Sequence, residues 1–109
     1  MNRQRQLDEF SLALHRKAIA ALHRDPELRS RARDALNRWR KQAGPTRSDA
    51  LWIEWEHLLD GELTSLESAA LAESEHGTLM RSVSPLGCLV DQHERTLLLK
   101  QARDRARLQ

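Results

Sequence analysis

Arg16 and His23 stand seven residues apart in the segment RKAIAALH, which places them on one side of a helix, two turns from each other. These types suit phosphodiester cleavage: a histidine moves protons near neutral pH, and an arginine stabilises charge on the phosphate. The competing reading is two polar residues bordering an apolar stripe, since short spacings of this kind arise by chance. Cys88, the only cysteine, invites a nucleophile reading. Its neighbours Leu86, Leu89 and Val90 form an apolar setting that raises a thiol pKa, so a packed side chain is expected there rather than catalysis. Glu54 and His57 have the spacing of a helical metal-ligand pair, yet such sites need several pairs converging. No catalytic residue, metal site or cofactor is therefore expected.

Binding is the stronger theme. Arg29, Arg31, Arg33, Arg38, Arg40 and Lys41 crowd one segment, and Arg29, Arg33, Arg40 and Lys41 make a candidate nucleic-acid contact. Their spacings scatter them around a helix, and intramolecular ion pairing is the alternative. Trp52 and Trp55 share a helical face, as core anchors or as an interface. The segment SEHGTLMRSVSPLGCLV differs most from its surroundings, because Gly77, Pro85 and Gly87 interrupt a charged, helix-forming chain. Arg81, Val83, Pro85, Leu86 and Leu89, with Trp52 and Trp55, are the candidate contact for a partner protein; a homodimer is one form this could take.

The chain that must position these residues is short and highly charged. It has 109 residues, of which 39% are hydrophobic and 31% charged, enough for one small domain over 1–109 whose thin core leans on an oligomer or partner. The net charge is only +2, but residues 1–47 hold twelve Lys/Arg against five Asp/Glu, residues 48–80 none against eight, and residues 81–109 six against three. Such a chain can neutralise itself by folding its segments together. No apolar run is long enough for a membrane span and MNRQRQLDEF lacks a signal-peptide core, so a cytoplasmic location is expected.

Apolar periodicity and helix punctuation predict an all-α bundle of about five helices over 7–24, 26–43, 48–60, 64–76 and 91–107, with a connector over 77–90. Leu7, Phe10, Leu14, Ala18 and Leu22 form the first stripe. Asp25-Pro26 restarts the chain, Gly44-Pro45 stops the second helix, and Gly61 stops the third. Thr64 with Glu67, and Asp91 with Glu94, have capping-box spacing.

Two resemblances bear on function. The Arg16–His23 element resembles the arginine–histidine motif of HEPN ribonucleases, compact helical proteins, although Lys17 replaces the usual polar residue after the arginine. It implies a ribonuclease using Arg16 and His23 as the alternative function. More of the chain is covered by the runs ALHRKAIAALHRDPELRSRARDALNRW, WIEWEHLLDG and SEHGTLMRSVSPLGCLVDQHER. Together these are similar to small bacterial all-helical proteins associated with toxin–antitoxin-like gene pairs. Val83 stands where that group has a second serine, and Leu86 where it has phenylalanine. This resemblance implies a non-catalytic antitoxin-like protein that binds a partner and neutralises or regulates it.

Overall fold

In the computed structural model, which describes residues 3–107, the first apolar stripe becomes helix α1, Arg3–Arg24. It begins four residues ahead of the expected start, because Arg3, Gln4, Arg5 and Gln6 are helix formers that carry no hydrophobic signal. The Asp25 carboxylate accepts the Glu27 amide at 3.2 Å and opens a 3-10 turn over Pro26–Leu28, from which α2, Arg29–Ala43, continues. Gly44 closes α2 at φ 66°, a left-handed backbone that residues with a Cβ rarely adopt. Helix α3, Asp49–Asp60, then runs to Gly61.

The expected helix over 64–76 is instead two helices, α4, Leu63–Ala70, and α5, Glu75–Ser82. The Thr64–Glu67 capping box does not form. Helix α4 starts behind Glu62 without a side-chain cap, and Glu67 reaches across to His23 Nε2 at 2.8 Å. Ser74 opens α5 by accepting the Gly77 amide on its Oγ at 3.0 Å. Gly77 thus lies in the first turn of a helix rather than at the end of one. A Cβ there would sit 2.1 Å from the Ala72 carbonyl oxygen, so the glycine is present to let α5 pack against the strand of chain that leads into it. Gly77→Ala is expected to destabilise the fold by about 1–3 kcal/mol, since backbone cannot yield as a side-chain tip does. Urea unfolding measures this, and an unchanged midpoint would show that the close approach does not exist.

The expected connector over 77–90 is largely ordered. After α5 the Ser84 hydroxyl accepts the Leu86 amide at 3.0 Å and starts a 3-10 turn over Pro85–Leu89. Asp91 then caps α6, Gln92–Arg107, by accepting the Glu94 amide at 2.8 Å. Six helices result, and no strand occurs among the described residues.

Helix α1 lies along α6, and the Pro85–Leu89 turn wedges against both α1 and α2. Leu14, Ala18, Ile19 and Leu22 from α1 meet Leu36, Trp55, Leu59, Leu66, Met80 and Leu86 in one continuous core. The charged segments neutralise each other across this core's rim, with Arg33 on Asp60 at 2.7 Å and Arg40 on Glu56 at 2.9 Å. Among the described residues no helix is long and apolar enough to cross a membrane.

Candidate functional site

The residues expected to meet a partner mostly face inward. Trp55 is 0% exposed and its indole N–H donates to the Met80 carbonyl at 2.9 Å. Trp52 is buried too, and donates to the Val83 carbonyl at 3.1 Å. The two indoles pin the end of α5 to α3, while Pro85 and Leu86 are enclosed and Val83 and Leu89 pack half-buried against the core. Leu86 is 0% exposed and completes the core. Arg81 is 8% exposed, and its Nη1 donates to the carbonyls of Ala70 at 3.1 Å and Ala72 at 2.7 Å, so it caps the C-terminal end of α4.

The basic residues of α2 divide in an equally specific way. Arg29 donates to the Leu59 carbonyl at 3.0 Å and to that of Gly61, and Arg33 donates to Leu59 at 2.9 Å and to Asp60. Both therefore cap the C-terminal end of α3, where cations are favoured by the helix dipole. Arg40 is paired with Glu56, which leaves Lys41 as the exposed member of the expected nucleic-acid set.

Of the residues read for chemistry, Arg16 and His23 are both exposed on α1. His23 is held by Glu67, as given above. Glu54 binds His76 Nε2 at 2.9 Å rather than pairing with His57. Among the described residues no group of three His, Cys, Asp or Glu is placed to hold a metal ion. Cys88 is half-buried, and burial pushes its thiol pKa up, against the pull of Arg31, Arg38 and Arg95.

What the fold does assemble is a cleft of about 340 Å³ lined by Arg5, Asp8, Glu9 and Leu12 of α1, Thr78 and Arg81 of α5, and Glu73 between α4 and α5. Arg81 forms part of its wall with its guanidinium fixed by the carbonyls of Ala70 and Ala72. Burial lowers the pKa of that group, and the carboxylates of Asp8 and Glu73 work in the opposite direction, holding it charged. Glu9 pairs with Arg5 through Oε1 at 3.6 Å, whereas its buried Oε2 has no hydrogen-bond donor among the described residues. A buried acceptor left this way costs stability, because it has given up water without gaining a donor.

On the same side of α1, three residues beyond Leu12, lies His15, 2% exposed. Its Nδ1 is 2.7 Å from the Ser11 carbonyl, which can only accept, so Nδ1 carries the proton and Nε2 is bare. The ring stacks on Trp55 with centroids 6.4 Å apart. Burial lowers its pKa to about 4, a shift opposed by the Ser11 bond and reinforced by the positive charge of Arg81.

Sequence reasoning singled out Arg81 but missed Asp8, Glu9, Glu73 and the role of His15. The available signal was the spacing of Asp8, Leu12 and His15, four and three residues apart and so on one side of a helix. Comparison with family models, curated proteins and solved structures finds no match for this chain.

Proposed function

We propose that this chain is a non-catalytic, antitoxin-like protein-binding module, which works in the bacterial cytoplasm by engaging a partner protein and neutralising or regulating it. The observation that carries the reading is the α1–α5 cleft. Its lining sets Arg5 and the buried Arg81 against Asp8, Glu9 and Glu73 around the apolar Leu12. Charges of both signs steer and orient a partner, while a few enclosed side chains supply most of the affinity. The resemblance over residues 14 to 99 supports the same reading, with Arg81 the member of its expected contact set that lines the cleft.

A standard interface covers about 800 Å² on each side. The cleft is then the anchor of a wider contact on a chain exposing 7217 Å². Tagged chain recovered from its source cells is expected to retain one stoichiometric partner. Asp8→Lys/Glu73→Lys is expected to weaken that complex at least tenfold with helical content unchanged, because it reverses two charges on the cleft wall. Equal retention by the variant would remove the cleft from the interface.

A further inference from the structure

Three arginines from two helices converge beside the Pro85–Leu89 turn. Arg31 and Arg38 are seven residues apart on α2, hence on one face and about 10 Å apart along the axis. With Asp34 and Cys88 they line a second cleft of about 210 Å³. Arg95 comes from α6 and donates to the Gly87 carbonyl at 3.4 Å, which holds it against the same turn. The positive charges of all three reach Cys88 and pull its thiol pKa down against burial, so they act on one region. Arg31 and Arg38 are exposed, and neither is ion-paired among the described residues, whereas on the same helix Arg33 and Arg40 pair with carboxylates and Arg29 is bound to the carbonyls that end α3.

We propose that this cleft between α2 and the Pro85–Leu89 turn is a binding site for the phosphodiester backbone of a nucleic acid. Guanidinium forks match phosphate oxygens in pairs, which favours arginine at such contacts. A nucleic-acid strand carries a charge about every 3.4 Å of its axis, so it places phosphates opposite both Arg31 and Arg38 whatever its sequence. An acidic peptide does so only where its own sequence supplies carboxylates. Asp34 lies between the two arginines in sequence and subtracts from the site; Arg95 enlarges the remaining surplus of positive charge, and Lys41, three residues past Arg38, extends the track. Contacts of this kind position a backbone and read no bases, so binding is sequence-independent. The site shares no residue with the α1–α5 cleft, and stands or falls separately from the partner-protein reading.

The test is fluorescence anisotropy with a short labelled DNA duplex across a salt series, using the intact chain. Wild type is expected to bind at low salt, with log affinity falling against log salt at a slope of about −2 to −3, as three phosphate contacts require. Arg31→Ala/Arg38→Ala is expected to flatten that slope by about 2, whereas the charge-matched control Arg24→Ala/Arg47→Ala leaves it near the wild-type value. Asp34→Asn is expected to tighten binding, and bound duplex to slow alkylation of Cys88. Absence of binding at low salt, equal slopes in the double variant and its control, or protection of Cys88 by polyglutamate as strong as by the duplex would each overturn the proposal.

Discussion

Lowering the pH from 7 to 4 is expected to remove about 3 kcal/mol of stability at His15 alone, and His15→Leu is expected to abolish that loss. The unfolded chain takes up a proton near pH 6.5, whereas the buried ring resists protonation until about pH 4. A depressed folded pKa gives stability that is fully present above 6.5 and drains away as the pH falls toward 4, because over that interval the unfolded state binds the proton and the folded state does not. Leucine suits the site. The Ser11 carbonyl that His15 Nδ1 uses is also the acceptor of the helix bond from the His15 amide, so it keeps a partner after substitution. The unpartnered Nε2 disappears with the ring. Stability at pH 7 should therefore change little or rise.

The informative quantity is the difference between wild type and variant from pH 6.5 to 5, measured by urea unfolding. Identical pH slopes would mean that His15 is hydrated in solution. The consequence reaches the cleft, because His15 stacks on Trp55 and lies within the field of Arg81.

Trp55→Ala is expected to cost about 3–5 kcal/mol, a large share of the 5–15 kcal/mol that holds a domain of this kind together. The side chain is fully enclosed, touches the core contributed by α1, α3, α4 and α5, and donates its only N–H inside. Trp55→Phe separates these contributions. Most of the ring volume stays, and the Met80 carbonyl retains the Val83 amide at 3.2 Å, so the expected loss is only about 1 kcal/mol beyond that of the smaller ring. Far-UV circular dichroism in urea distinguishes the two variants. A mild Ala variant would contradict the assignment of Trp55 as the core anchor that fixes α5, and with α5 the position of Arg81.

Local chemistry accounts for what was legible in the sequence. Asp25-Pro26, Gly44-Pro45 and Asp91 mark breaks or caps through their own backbone and side-chain preferences, and the structure places a helix boundary at each. Gly77 misled because its presence answers a tertiary contact with Ala72 that no local pattern encodes. Glu67 misled for a related reason: its carboxylate bonds a histidine 44 residues away instead of its own helix start.

The arginines of α2 show the same limit in electrostatic form. Arg29 and Arg31 are indistinguishable by composition, yet one meets the end of α3 and the other faces a cleft, a difference set by helix packing alone. Asp8 and Glu73 are 65 positions apart in the chain, so helical spacing could mark the α1 side of the cleft they share but not the arrival of Glu73 opposite it.

The most direct measurement is carbodiimide footprinting of carboxyl groups, on the free chain and on its purified complex with the captured partner. The expected result is suppressed labelling of Asp8, Glu9 and Glu73 in the complex, with Glu27 and Asp104 unchanged. Labelling of the three cleft carboxylates that is the same in both states would contradict the account.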